Sequence, residues 1–112
     1  YEMAKNSNLT INVKFNQIIL IKNLIELISK EYIPGGSKDN LAFYKKNILF
    51  DKNINEYQKI ILADAQTSGG LLISCSKNKS QHLIKELNKK RKIKSSIIGE
   101  VISKQDKILT IS

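Results

Sequence analysis

The chain has 112 residues, 41% of them apolar and 26% charged, with a formal net charge of +9; this is ordinary composition for one small globular domain with a modest core, and it excludes a disordered tail or a bilayer-embedded protein. The longest apolar run, Ile18 to Ile21, stops at Lys22, well short of the roughly 20 residues that cross a bilayer, and no basic, apolar, small-residue leader opens the sequence, so a soluble cytoplasmic location without membrane contact is expected. The positive charge comes from lysines spread from Lys5 to Lys107 with Arg91 as the only arginine, which argues against nucleic-acid reading, because base recognition favours bidentate arginine and exposed aromatics while charge alone speaks to solubility and nonspecific attraction.

The opening "YEMAKNSN" reads as the last turns of a helix and its exit, since good helix formers give way to Asn6, Ser7 and Asn8. With no capping residue ahead of Tyr1, the chain is expected to start inside an element, as a piece of a longer polypeptide would. Leu9 to Phe15 alternates apolar and polar residues, the period of a strand with one buried face. From Ile18 to about Tyr32, apolar residues recur at helical spacing (Ile18, Ile21, Leu24, Ile25, Ile28), which predicts one helix broken by Ile33-Pro34. The glycine pair Gly35-Gly36 then reads as a loop with backbone angles that side chains forbid.

After that loop, Asn40 to Tyr44 predicts a helical turn and "NILF", Asn47 to Phe50, a short strand. Asn53 with Glu56 three residues later resembles a capping box for a helix that carries Tyr57, Ile60 and Ile61 and ends near Asp64. The stretch "ADAQTSGGLLIS" follows, and "GLLISCS" is so uniformly apolar that a strand covered on both faces is expected. Ser80 is the predicted N-cap of a helix to about Lys92, with Leu83, Ile84 and Leu87 buried and Lys85, Lys89 and Lys92 on a solvated face. Ser95 to Ser103 and Lys107 to Ser112 read as two strands of a hairpin, with Gly99 marking a bulge or a close backbone approach. This order argues for a single domain over 1–112, an α/β (α+β) sandwich in which a largely antiparallel mixed sheet is covered by helices.

Little in this chain points to chemistry of its own. Cys75 is the only cysteine and His82 the only histidine, so neither a disulfide nor a cysteine or two-histidine metal site can be assembled, and Cys75 is expected as a small buried strand residue. Paired glycines let a backbone approach a ligand closely and turn successive N–H groups toward an anion. Neither glycine loop is a dinucleotide fingerprint or a P-loop, since the third glycine and the Gly-Lys-Ser/Thr triplet are missing. Thr67 and Ser68 place hydroxyls ahead of Gly69-Gly70, and Asp64 is placed to hold a metal or to cap the turn. From the residues alone, a structural turn and a ligand-facing loop both stay open.

The wording of the two loops is more specific than their composition. "IPGG" followed by "SKDNL", and "ADAQTSGGLLIS" some way behind it, resemble the C-terminal part of the selenide, water dikinase (selenophosphate synthetase) family, and "YEMAKNSNLTI" is similar to that family's segment after its domain junction. The resemblance runs in order along effectively the whole chain. It implies membership of the aminoimidazole ribonucleotide synthetase superfamily, whose C-terminal domain is an α/β sandwich, partly ferredoxin-like. It also implies a reaction in which ATP, selenide and water give selenophosphate, AMP and orthophosphate with Mg2+, by a cytoplasmic, dimeric phosphotransferase that feeds selenium to selenocysteine synthesis.

On the same resemblance the family's nucleophile, its lysine and its metal-binding aspartates belong to an N-terminal ATP-binding domain absent from this sequence. The chain alone is therefore expected to be inactive, with no catalytic and no metal-binding residue of its own. The residues expected to face an interdomain cleft or a phosphate are Gly35, Gly36, Asn40, Thr67, Ser68, Gly69 and Gly70, with a purely conformational role for both glycine pairs as the competing reading. Other superfamily members, of the thiamine-monophosphate kinase or hydrogenase maturation type, are the nearest alternatives, and a basic nucleic-acid-binding module is the alternative from another class.

Overall fold

The computed structural model describes residues 1–89 and 91–112. A four-stranded sheet in the order β2-β4-β1-β3 organises it. In chain order the elements are α1 (Glu2–Asn6), β1 (Thr10–Val13), α2 (Leu24–Ser29), α3 (Gly35–Tyr44), β2 (Ile48–Phe50), α4 (Glu56–Leu62), α5 (Lys77–Lys89), β3 (Gly99–Ile102) and β4 (Leu109–Ile111). This is an α+β sandwich with a mixed sheet, as expected, but its pairing differs from the expectation. β1 pairs antiparallel with β3 only, and the β1–β4 and β2–β4 ladders run parallel.

The predicted hairpin of β3 and β4 does not form, because β1 lies between them and takes its ladder bonds from both. Register explains the core. Ile11 lines up with Leu109 and Ile48, and Val13 with Ile111 and Phe50, so a single face of the sheet collects branched and aromatic side chains. Phe15, Ile54 and Ile111 are the buried centre of that face, and Ile61 and Leu62 of α4 pack against it together with Ile18 and Leu20. The opposite face brings Asn12, Thr110 and Glu100 beside an exposed Leu49.

Thr10 is fully buried and fixes the end of the sheet. Its hydroxyl donates to the Lys107 carbonyl and accepts from the Gln105 N–H, each at 2.8 Å, so the β3–β4 connection is pinned to the start of β1. Gly99 sits opposite Val13 at the edge of the same ladder. A β-carbon there would lie 2.0 Å from the Asn12 carbonyl oxygen, which makes this the close backbone approach foreseen for it.

Several other expectations are corrected. The helix expected over Ile18 to Tyr32 is only α2, because Ile18 is extended (φ −78, ψ 127) and Asn23 is left-handed (φ 65) immediately before Leu24. Ile18 and Leu20 reach the core from an extended segment, so their spacing with Ile21 does not mark a helical face. The capping box sits two residues later than read: Asn55 Oδ1 accepts from the Gln58 N–H at 2.9 Å, and Gln58 Oε1 accepts from the Asn55 N–H at 2.8 Å. Helix α5 starts at Lys77, so Ser80 is inside it, its hydroxyl donating to the Lys77 carbonyl; Lys90, within the helix predicted to reach Lys92, lies outside the described residues. "GLLISCS" forms no strand, and Cys75 is exposed.

Candidate functional site

The two glycine motifs meet, although they do so differently from a pair of loops. Gly35 and Gly36 are the first residues of α3, behind Pro34 as its N-cap (φ −60, ψ 142). Proline restricts only what precedes it and presets a helical φ, so "IPGG" ends the preceding segment and starts a helix where a loop was expected. No described glycine has a positive φ. The forbidden backbone angles foreseen for Gly35-Gly36 are therefore absent, and the freedom of glycine is not what this position uses.

Gly36 lies beside the second motif at ordinary van der Waals distance. A β-carbon on it would stand 3.4 Å from the Ala65 β-carbon, in the first residues of the second motif. One turn of helix positions two further contacts on the same side. The Ser37 hydroxyl, with no exposed surface, donates to Asp64 Oδ1 at 2.7 Å, and the Asn40 amide donates to the Ala63 carbonyl at 3.1 Å. Gln66 Nε2 donates to the other carboxylate oxygen of Asp64 at 3.1 Å. Positions 36, 37 and 40 of α3 thus clamp positions 63 to 65, the exit of α4.

Electrostatics favours this clamp. Asp64 brings its carboxylate to the first turn of α3, where the helix dipole and a buried hydroxyl both suit a negative charge. An anion-binding role for that helix end would have to compete with Asp64. Asn40 likewise has its amide engaged with the α4 terminus. Of the seven residues singled out from the sequence, Gly35, Gly36 and Asn40 lie at this clamp, while Thr67, Ser68, Gly69 and Gly70 lie just beyond it.

The tip of the second motif is arranged differently. Thr67 and Ser68 form an exposed turn, and among the described residues their hydroxyls make no side-chain hydrogen bond. Gly70 has open space where a β-carbon would be, and Gly69 has only the flexible Gln66 side chain near it, at 3.2 Å. Leu71, Leu72 and Ile73 follow with 85%, 57% and 51% of their surface exposed. Here two exposed hydroxyl-bearing residues and a backbone with open space at Gly70 adjoin an uncovered apolar ridge.

Sequence reasoning missed Ser37 as a partner and left the task of Asp64 open. The signal was present, since Ser37 follows the glycine pair and Asp64 opens the second motif, but only tertiary structure shows that one serves the other. Among the described residues no three His, Cys, Asp or Glu side chains come together as a metal site.

The accessible surface gives a further observation. It is 8579 Å² for 12.7 kDa, against roughly 6,200 Å² for a self-contained folded chain of that mass. Ile19, Ile21, Tyr32 and Phe43 are exposed as well as the Leu71 ridge. The chain covers its own apolar surface incompletely.

No family model matches the chain. It is similar along nearly all of its length to proteins named selenide, water dikinase. That of Aliarcobacter butzleri is 37% identical over 107 residues, 96% of this chain and 31% of the relative. That of Caldanaerobacter subterraneus subsp. tengcongensis is 40% identical over 106 residues, 95% and 30% of the two, and that of Clostridioides difficile 34% identical over 110 residues, 98% and 32%. The chain spans about a third of the length of these curated relatives and is homologous to that stretch of them.

Proposed function

We propose that this chain is the C-terminal domain of a selenide, water dikinase, the enzyme that makes selenophosphate, AMP and orthophosphate from ATP, selenide and water. The observation that carries the reading is the joining of the two family-like motifs: "IPGGSKDN" and "ADAQTSGG" are held to each other by the Ser37–Asp64 and Asn40–Ala63 bonds. The surface left uncovered beyond them supports a neighbouring domain. The relatives reported above carry the dikinase name, and none is a thiamine-monophosphate kinase or a hydrogenase maturation protein.

On this reading the nucleophile, the Mg2+ ligands and most ATP contacts lie in a partner domain, and the chain by itself turns nothing over. Its own contribution is to present Thr67, Ser68 and the Gly69-Gly70 backbone at the cleft, where hydroxyls and N–H groups can orient phosphate oxygens or selenide. The clamp behind them fixes where that tip emerges. A cytoplasmic homodimer is proposed for the complete enzyme.

The test is the pair of substitutions Thr67→Ala and Ser68→Ala in the complete enzyme, with selenophosphate followed by phosphorus NMR and ATP affinity by calorimetry. The expected result is a fall in turnover of at least tenfold with an unchanged unfolding midpoint. Normal turnover with unchanged ATP affinity overturns the cleft assignment.

A further inference from the structure

The lysines spread along the whole chain, but not evenly. Residues 77–94 hold eight of the nineteen basic residues, including the one arginine, and a single acidic residue, Glu86. A compositional preference for lysine would distribute charge in proportion to length, whereas this sixth of the chain carries most of the net charge. It consists of helix α5 and the run "KKRKIK" that begins at its last residue, Lys89.

Folding alone does not account for the placement. Cations near a helix C-terminus complement its dipole, and Lys94 indeed donates to the Asn88 carbonyl at 3.0 Å. Lys77 and Lys79, however, stand in the first turn of α5, where a cation opposes the dipole and where no acidic residue offsets it. Among the described residues the ion pair in this segment is Lys89 with Glu86, at 2.6 Å. Lys77, Lys79, Lys85, Arg91 and Lys92 are exposed; the first three stand on the helix, Lys77 and Lys79 on its two flanks with Lys85 between them on the side away from the Leu83–Leu87 stripe, and Arg91 and Lys92 follow its last described residue, Lys89.

We propose that α5 and the basic run behind it are a docking surface for the phosphate backbone of a double-stranded nucleic acid. Two cations placed against the dipole at the head of α5, with Lys85 exposed between their flanks and further cations behind the helix, suit a polyanion. The segment from 77 to 94 contains no aromatic residue, so it lacks the stacking platform that single strands require. One arginine is too few for base reading, but phosphate contacts need neither arginine forks nor aromatics. An anionic membrane is the weaker fit, because the apolar stripe Leu83, Ile84 and Leu87 is half-buried and carries no aromatic anchor. This surface is independent of the dikinase reading.

The experiment is fluorescence anisotropy of the purified protein with labelled RNA and DNA duplexes of unrelated sequence. Five contacting cations predict a slope near −4.5 in log affinity against log salt, about a 500-fold loss between roughly 50 and 200 mM salt. Lys77→Glu with Lys79→Glu is expected to weaken binding at least tenfold while the unfolding midpoint holds or rises, since the new charges suit the helix end. Lys5→Glu with Lys14→Glu is expected to leave binding unchanged. The proposal is overturned by no binding at low salt, by a slope shallower than about −2, or by an unaffected Lys77/Lys79 variant. Equal binding and salt dependence with polyglutamate or anionic vesicles overturns it too. Preference for the RNA or the DNA duplex identifies which source of phosphate the surface takes.

Discussion

The two glycine pairs look alike in sequence and are used in opposite ways. Gly35-Gly36 is inside regular structure, at the head of a ten-residue helix, with Gly36 against Ala65 and Ser37 buried on Asp64. Gly69-Gly70 is outside it, in an exposed segment where a β-carbon meets open space or a side chain that can move. Gly36 and the Ser37 that follows it are engaged within the chain, while Gly35 itself meets open space. The second pair has no internal use that the described residues reveal, and that difference is why the cleft role is proposed for the second motif.

Gly99 sets the upper end of this comparison. Gly99→Ala would press a methyl group into the Asn12 backbone, and a loss of about 3 kcal/mol is expected, read from urea unfolding. Ser37→Ala removes the buried hydroxyl from Asp64; because Asp64 itself is exposed and can turn to water, the expected loss is about 1 kcal/mol. Equal stability after that change would break the idea that the clamp sets the position of the second motif. Gly35→Ala, in open space at a helix start, is expected to stabilise by about 0.5 kcal/mol, visible as a rise in thermal midpoint. Gly70→Ala should leave the midpoint unmoved, since no atom lies within 4 Å of the added carbon; a marked destabilisation would show an internal role for the second pair and remove the contrast.

What the sequence disclosed depended on how local each determinant is. The alternation around Thr10 to Val13 and the amphipathic stripe of α5 are properties of a few neighbouring residues, and both elements form. The capping residues were harder, because Asn53/Glu56 and Asn55/Gln58 have the same spacing and only the second closes into a reciprocal pair. The segment from Ile18 to Asn23 misleads because core contact by an extended chain and a helical face can share a three- or four-residue spacing.

Strand partners were beyond reach, since the short connection between β3 and β4 argues for a hairpin and only the third strand, β1, separates them. The cleft candidates were legible as wording, from "IPGG" and "DAQTSGG", while the Ser37–Asp64 bond that unites them spans 27 positions, so both residues stand in the motifs but their pairing is not written in either. Exposure was illegible for the same reason. "GLLIS" has the composition of a covered strand, but Leu71, Leu72 and Ile73 are exposed.

The central position of β1 also governs the order of events during synthesis. Thr10 to Val13 leaves the ribosome well before its neighbours on both sides, β3 and β4, which are supplied by residues 99 to 111, and the Thr10 hydroxyl bridges a sequence distance of 97 residues to Lys107. Until those residues emerge, the middle strand has two bare edges and the sheet cannot close. Pairing over such separations is slow and leaves nascent chains open to aggregation, so a premature stop anywhere before Gly99 would release a polypeptide with its central strand unpaired and a ready substrate for chaperones and proteases.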